Sequence, residues 1–205
     1  MKTIIITLIY ITFFSYYNNP NDINSPATIG TQIWTSKNLD VSKFRNGDPI
    51  PEIESPKEFY QAGLDGKPAW CYYNGDASNE KKYGKLYNWY AAHDSRGIAP
   101  QGWHVPTDKE WSTLNNYLGG NAVAAKKVKT AIGWNGDNSS GFNALPAGYT
   151  GNGIFDGLGS YTCFWSVTNK LPTYVYTYSL GTNKAEFLQS YNNVARGFSI
   201  RCLKD

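Results

Sequence analysis

The last third of the chain contains four short segments in which apolar and polar residues alternate, and they constrain the fold more than any other feature. These segments are SYTCFWSVT, TYVYTYSL, KAEFLQSY and RGFSIRCLK, and Gly, Asn or Pro residues separate them. Alternation with a period of two residues, bounded by turn-forming residues, is typical of antiparallel strands. We therefore expect the second half of the chain to form an antiparallel sheet.

The first half carries helical patterns after one strand. Residues 29–39 alternate well enough for a first strand centred near Ile33. The sequence SPKE at residues 55–58 combines an N-cap, a proline at the first helical position and a capping glutamate, which predicts a short helix through Gln61. Aromatic and leucine residues recur at helical spacing between Tyr83 and Ala92, which predicts a second helix there.

The stretch GWHVPTDKEW, residues 102–111, predicts a third helix. Thr107 and Glu110 have the spacing of a capping box, and an apolar face that begins at Trp111 continues until Gly119 and Gly120. Helices in the first half and strands in the second indicate an α+β fold. We expect two or three short helices in the first half, and antiparallel strands with long loops in the second.

Length and the amino terminus indicate one domain behind a targeting segment. The order of Lys2 and the apolar run at residues 4–14 is typical of a secretory signal peptide. We predict a signal peptide or hydrophobic segment with a short linker at 1–23, and a single domain at 24–205 that is secreted or displayed on the cell surface.

Composition excludes some function classes and favours others. Lys and Arg number 19 against 16 Asp and Glu, and no long basic stretch appears beyond Lys126, Lys127 and Lys129. These lysines fit a solvated helix face better than a nucleic-acid site. Charged residues make up 17% of the chain and aromatic residues 16%, with 16 tyrosines. Such a composition is typical of extracellular ligand-binding modules.

The sequence resembles the Fibrobacter succinogenes major paralogous domain in eight stretches. They are IWTSKNL, WCYYNGD, YGKLYNWYAA, GWHVPTDKEW, LNNYLGG, GFNALPAGY, FWSVT and GFSIRCLKD. They run in the expected order over essentially the whole chain after the amino-terminal segment. The family consists of secreted or surface proteins of Bacteroidetes and their relatives. The resemblance implies a C-type lectin-like fold, related to that of formylglycine-generating enzymes, in which the strand near Ile33 lies beside the strand at 198–202.

The three cysteines leave the disulfide question open. Cys71, Cys163 and Cys202 allow one bridge and one remaining thiol. Relatives often carry a cysteine before the proline of the PxGWH segment, where this chain has Ala99. If that cysteine normally bridges the terminal strand, Cys71 or Cys163 replaces it here, or Cys202 remains a buried thiol.

Catalytic signatures are absent from the sequence, so we expect a protein without enzymatic activity. His104 could host an acid/base group, but a structural role satisfied by hydrogen bonds is favoured. His93 fits a charge complement at a helix end. Two histidines without a matching Cys/His spacing do not predict zinc, and no nucleophile elbow, P-loop or dinucleotide fingerprint is present. The enzymatic alternative is an oxidase of the formylglycine-generating kind that uses Cys163 and Cys202.

The region rich in Gly and Asn at 134–160 is the main candidate for a functional loop. Its oxygen-bearing side chains suit turns, and calcium is the alternative. The weak calcium candidates are Asp137, Asn138 and Asp156, and Asn135 lies in the same region. We expect no cofactor other than this possible ion.

Aromatic residues divide between scaffold and surface. Tyr174, Tyr176 and Tyr178 alternate along one strand, so they share a face that suits stacking on sugars or a protein if it is exposed. We expect ligand contacts from Tyr174, Tyr176, Tyr178, Asn135, Asp137 and Tyr191. We expect structural roles for Trp103, Thr107, Glu110, Trp111, Trp165, Phe198 and Cys202.

The sequence therefore predicts a noncatalytic binding module for a glycan or protein ligand, acting through the loops at 134–160 and the strand region at 173–191. The alternative is a structural or assembly subunit of a surface appendage or adhesin. No nucleic-acid partner is expected, and the sequence does not give the ligand, the oligomeric state or any dependence on calcium.

Overall fold

The computed structural model describes residues 26–205, except the side chain of Lys184. The predicted signal segment at 1–23 lies outside the described residues. Helices in the described part are α1 (Pro56–Leu64), α2 (Glu80–Tyr83), α3 (Trp89–Ala92), α4 (Asp108–Tyr117) and α5 (Asn121–Val128). Strands are β1 (Ala27–Ile29), β2 (Gln32–Trp34), β3 (Trp70–Cys71), β4 (Leu86–Tyr87), β5 (Trp103–His104), β6 (Ala147–Gly151), β7 (Ile154–Leu158), β8 (Tyr161–Leu171), β9 (Tyr174–Gly181), β10 (Lys184–Asn193) and β11 (Leu203–Lys204).

The strands form a large sheet and two small ones, which confirms the α+β class. The large sheet has the order β10-β9-β8-β6-β7, a smaller one has the order β1-β2-β11-β5, and β3 pairs with β4. The pairing in the second half is not antiparallel throughout. β6 and β8 are parallel where Gly148 faces Thr162, and isolated parallel bridges join Lys129 to Ala144 and Phe164 to Ser199. The first half also contains more, and shorter, helices than the two or three expected.

The two ends of the described chain meet in the smaller sheet. Trp34 of β2 faces Leu203 of β11, and the Thr35 amide donates a hydrogen bond of 2.9 Å to the Cys202 carbonyl. This confirms the proximity of the strand near Ile33 to the carboxy-terminal segment, although the ladder itself involves residues 203–204 and not 198–202. The first strand is also shorter than expected, because Gly30, at φ 63°, turns the chain between β1 and β2.

The single helix predicted from Tyr83 to Ala92 is wrong over most of its length, since beyond Tyr83 only Trp89–Ala92 is helical there. Helix α2 stops at Tyr83, where Gly84 adopts φ 71°, and the next residues form β4. Leu86 and Tyr87 are both buried, and they pair with Cys71 and Trp70 of β3. Tertiary pairing therefore overrides the local helical pattern.

Two helix starts are confirmed. The Ser55 hydroxyl accepts a hydrogen bond from the Glu58 amide at 3.4 Å at the start of α1. At α4 the Thr107 hydroxyl accepts from the Glu110 amide, and the Glu110 carboxylate accepts from the Thr107 amide at 2.8 Å. This reciprocal box satisfies backbone donors that the first helical turn otherwise leaves unpaired.

The core behind the large sheet is aromatic. The ring of Trp111 contacts those of Trp34 at 4.6 Å, Tyr178 at 5.2 Å and Phe164 at 5.5 Å. A second cluster centres on Trp165, whose indole donates to the Tyr87 carbonyl at 2.6 Å. Trp111 and Trp165 are fully buried, and Phe198 and Cys202 are buried in the second cluster, as structural roles for these residues require. Trp103 is half-buried in β5.

Arg201 ties three separate parts of the chain together inside the protein. Its guanidinium is fully buried and donates to Asn38 Oδ1 at 2.7 Å and to the carbonyls of Thr35, Phe142 and Asn143 at 2.6–2.9 Å. No carboxylate of residues 26–205 lies within 4.0 Å of it. Burial lowers the pKa of Arg201 to about 9.

No helix among residues 26–205 has both the length and the apolar character needed to cross a membrane.

Candidate functional site

An open pocket of about 350 Å³ lies beside the β6–β7 hairpin. It is bounded by this hairpin, by the start of β8 and by the segment that follows β10. Aromatic rings, a carboxylate and a guanidinium share the lining, which consists of Tyr149, Asp156, Gly157, Ser160, Tyr161, Arg196 and Phe198. We refer to it below as the tyrosine pocket.

The β6–β7 hairpin positions one side of the tyrosine pocket. Asn152 and Gly153 adopt φ values of 53° and 80° and connect Gly151 to Ile154, which is the geometry of a tight two-residue hairpin turn. The irregular loop expected at 134–160 is therefore partly a hairpin. Its register places Tyr149 opposite Asp156, and the phenol donates a hydrogen bond of 3.1 Å to Asp156 Oδ2.

Aromatic rings form the apolar part of the tyrosine pocket. Tyr149 and Tyr161 are half-buried, and their ring centroids lie 5.5 Å apart at an interplanar angle of 69°. Phe198 is buried and packs on Trp165 at 4.6 Å. Burial raises the pKa of both tyrosines, and the hydrogen bond to Asp156 adds to this effect at Tyr149, so the phenols remain protonated donors at neutral pH.

Gly157 allows the two walls to approach each other. It adopts φ 79°, and a Cβ at this position would lie 2.9 Å from the Cβ of Tyr161. A side chain here would be strained and would displace Tyr161. The Gly157 amide also donates to Asp156 Oδ1 at 2.7 Å, which fixes the carboxylate on the rim.

Arg196 supplies the positive charge of the tyrosine pocket. It lies in a turn after β10, and its Nη1 donates to Asn192 Oδ1 at 3.1 Å. Its guanidinium carbon is 6.0 Å from the centroid of the Tyr149 ring. Within the described residues no carboxylate lies within 4.0 Å of this guanidinium.

A somewhat larger pocket, about 410 Å³, is a weaker candidate. Its wall includes Lys37, Asp40, Glu80, Lys81 and Lys82, whose opposite charges lie side by side. None of the described residues that line it is aromatic. It therefore offers no ring face on which a sugar could stack, and we give the tyrosine pocket priority.

The exposed tyrosines predicted to bind a ligand lie elsewhere. Tyr174 and Tyr191 are 38% and 55% exposed, their rings meet at 6.0 Å, and Tyr176 is half-buried under Lys170. The expectation that Tyr178 shares their exposure is wrong. Tyr178 is 1% exposed, and its hydroxyl donates to Asp108 Oδ1 at 2.9 Å, so it serves the core.

The calcium candidates belong to separate hydrogen-bond networks. Asp137 Oδ1 accepts from the Ser139 amide at 2.9 Å, and Asn138 Oδ1 accepts from the Asn143 amide at 2.7 Å, while Asn135 is exposed at φ 55°. Asp156 instead bonds within the β6–β7 hairpin. Within residues 26–205 no group of three His, Cys, Asp or Glu side chains is arranged to hold a metal.

His104 joins the carboxy-terminal strand to helix α4. Its Nδ1 lies 2.7 Å from Asp205 Oδ1, and its Nε2 lies 2.9 Å from Glu110 Oε1. Partial burial opposes protonation, but the hydrogen bonds to the two carboxylates outweigh it and raise the pKa of His104. This arrangement matches the structural role expected of His104. His93 caps the end of α3 and stacks on Trp89 at 4.4 Å.

All three cysteines are buried free thiols. Burial raises the pKa of Cys163 and Cys202 to about 12, and burial likewise raises that of Cys71. Of the two outcomes left open for Cys202, the structure shows the buried thiol. Ala99 is buried in the same core cluster as Cys202.

The model of the Fibrobacter succinogenes major domain family matches residues 27–204. The chain belongs to this family. The match spans every strand and helix described above, so the tyrosine pocket and the sheet that joins the two ends are both parts of this Fibrobacter succinogenes major domain. No curated protein and no solved structure gives a significant match to it.

The pocket of this domain was only partly foreseen from its sequence. The region 134–160 contains Tyr149 and Asp156, but the expected ligand residues do not line the pocket, and Tyr161 and Arg196 were missed. The Asn152-Gly153 pair is a hairpin signal that places Tyr149 opposite Asp156. No local pattern predicts that Arg196, from a distant turn, joins them.

Proposed function

We propose that this domain is a noncatalytic binding module, secreted or on the cell surface, that binds a glycan in the tyrosine pocket. The observation that carries the proposal is the combination of two half-buried tyrosines, a rim carboxylate and a guanidinium around one open pocket. Aromatic rings provide rigid apolar faces for stacking, and carboxylate and phenol groups exchange hydrogen bonds with hydroxyls. The apolar run at residues 4–14 supports a location outside the cytoplasm.

We also propose that the fold is of the C-type lectin-like kind. Two features support this: the ends of the described chain meet in a small sheet, and a separate larger sheet carries the hairpin that bounds the pocket. The family resemblance implies the same arrangement. Fold alone does not carry function, so the ligand proposal rests on the pocket.

The noncatalytic part of the proposal is supported by the state of the thiols. The thiolate is the reactive form of cysteine, and burial raises the pKa of Cys163 and Cys202 far above neutrality. Neither thiol lines the tyrosine pocket. An oxidase that depends on these two cysteines therefore has little support.

The test is binding of the full-length chain to a broad glycan array, repeated with an Asp156→Ala variant and in the presence of a chelator. Asp156 is exposed, so its replacement leaves the core intact. We expect reproducible hits that weaken in the variant. Weaker binding in the presence of the chelator would show that binding requires calcium. An array without hits would contradict glycan binding.

Tyr191→Ala is the matched control, because Tyr191 is exposed and lies outside the tyrosine pocket. Its binding should equal that of the unmodified chain. If Tyr191→Ala abolishes binding and Asp156→Ala does not, the ligand occupies the strand region at 173–191 instead.

A second candidate function, a subunit of a surface assembly, is favoured by one exposed apolar area. Leu171, Tyr174 and Tyr191 are 54%, 38% and 55% exposed, and Leu171 faces Tyr174 across the β8–β9 ladder. Adjacent exposed apolar side chains are typical of contact surfaces. Light scattering over a concentration series tests this function: association that Tyr191→Ser weakens would support it, and a strict monomer would contradict it.

A further inference from the structure

Arg196 is a cation in the tyrosine pocket without a carboxylate partner in the described part of the chain. A guanidinium has five N–H donors, and the structure pairs Nη1 with Asn192. Asp156 is the carboxylate of the same pocket, but it accepts its hydrogen bonds from Tyr149 and Gly157 and lies more than 4.0 Å from the guanidinium. The positive charge is therefore not neutralised within the pocket.

The backbone holds Arg196 at this place. Thr150 and Gly197 exchange two backbone hydrogen bonds, of 3.0 and 2.8 Å, which fasten the turn of Arg196 to strand β6. The aliphatic part of its side chain crosses Gly151, where an added Cβ would lie 2.9 Å from Arg196 Cγ. Together with the bond to Asn192, these contacts fix the guanidinium beside the Tyr149 ring.

We infer that the tyrosine pocket selects glycans that carry a carboxylate, and that Arg196 binds this carboxylate. This assignment rests on the proposed function and specifies its ligand. A neutral sugar could stack on the aromatic walls and donate hydroxyl hydrogen bonds to Asp156. It carries no negative charge to pair with the guanidinium of Arg196.

A single carboxylate fits the charges better than a more highly charged group. Guanidinium and carboxylate are geometrically matched and form two parallel charge-assisted hydrogen bonds. The pocket offers one such cation, and Asp156 on its rim would repel a doubly charged anion. We therefore assign acidic sugars of the uronic type, with the carboxylate at Arg196 and the ring hydroxyls toward Asp156.

The test uses a panel of uronic-acid oligosaccharides together with their methyl esters, which keep the ring and lose the charge. Affinities for the full-length chain are measured by calorimetry. We expect the acids to bind at least about tenfold more tightly than the esters, the scale of a lost charge-assisted hydrogen bond. Arg196→Gln should remove this preference while the thermal midpoint of unfolding stays close to that of the unmodified chain.

Lys170→Gln is the matched control, because Lys170 is an exposed cation outside the pocket. It loses the same charge and should keep the preference for acids. Equal loss in both variants would show that general electrostatic attraction, and not Arg196, produces the preference, which would overturn the assignment.

The remaining outcomes separate this assignment from the proposed function. If esters and neutral glycans bind as well as acids, and Asp156→Ala weakens binding while Arg196→Gln does not, the assignment to acidic sugars is wrong and the glycan-binding function stands. If no glycan of either kind binds, the proposed function is wrong and the assignment falls with it.

Discussion

Arg196 lies against Gly151 so closely that a Cβ on the glycine would be 2.9 Å from Arg196 Cγ. Real Cβ atoms do not approach so near, so Gly151→Ala must displace the arginine stem. We predict that Gly151→Ala weakens binding of an acidic glycan several-fold. In a double-mutant cycle with Arg196→Gln the losses should not add, because both changes remove the same contact. Additive losses, measured by calorimetry, would show that Gly151 acts independently of Arg196.

Arg201 should dominate the stability of the carboxy-terminal segment. Arg201→Lys leaves buried acceptors among the Asn38 side chain and the carbonyls of Thr35, Phe142 and Asn143 without donors. Each unsatisfied buried group costs about 1–3 kcal/mol, so we expect the free energy of unfolding to fall by about 2–4 kcal/mol in urea denaturation.

Arg45→Lys is the control for that change. Arg45 also donates to carbonyls, those of Ala99 and Trp103, but its side chain is exposed and water can replace it. Its loss should stay below about 1 kcal/mol. Equal losses for the two substitutions would contradict the role assigned to the buried guanidinium.

Tyr178 should contribute to stability and not to binding. Tyr178→Phe removes the hydroxyl that hydrogen-bonds with Asp108 and Ser112, at 2.9 Å in both cases. We expect a loss of about 1 kcal/mol in the free energy of unfolding and unchanged glycan affinity. Tyr191→Phe, at an exposed ring, should change neither. Reduced affinity at unchanged stability would place Tyr178 in the site after all.

His104 should make the fold less stable as the pH rises above the ordinary histidine pKa of about 6.5. Its pKa is raised in the folded chain because the hydrogen bonds to Asp205 and Glu110 outweigh the opposing effect of burial. The stabilisation is thus complete below the ordinary histidine pKa of about 6.5 and is lost as the pH rises through the raised value. We expect the free energy of unfolding, from denaturation at pH 5.5 to 8.5, to decline over this window.

His104→Gln should flatten that decline, and Asp205→Asn should reduce it. Asp205 lies 58% exposed by its side chain, so solvent screens its share of the effect. An equally steep decline in His104→Gln would assign the pH dependence to another group.

Local chemistry explains which elements could be predicted from the sequence. The caps at Ser55 and Thr107 depend on residues three positions apart. The starts of α1 and α4 can therefore be predicted from the sequence. Three of the four alternating segments of the last third form β8, β9 and β10, because alternation is also a local pattern. These signals need no knowledge of distant contacts. The fourth segment, RGFSIRCLK, forms isolated bridges and the two-residue β11.

The elements that sequence patterns missed depend on distant partners. The helix predicted between Tyr83 and Ala92 gives way to β4 because Tyr87 pairs with Trp70, a residue seventeen positions earlier. Alternation placed Tyr178 on the face of Tyr174, but it did not show that helix α4 covers that end of the face. The pocket could not be predicted for a similar reason. Arg196 lies beside Tyr149 because Thr150 pairs with Gly197, and this pairing joins residues far apart in the sequence.

The most direct measurement of the central claim is ¹⁹F NMR of the full-length chain labelled with 3-fluorotyrosine, titrated with a glycan that the array identifies. Resonances are assigned by single Tyr→Phe substitutions. If the glycan binds in the tyrosine pocket, the signals of Tyr149 and Tyr161 shift with saturation while those of Tyr174 and Tyr191 do not. Shifts confined to Tyr174 and Tyr191 would contradict binding in the tyrosine pocket and place the ligand on the exposed strand surface.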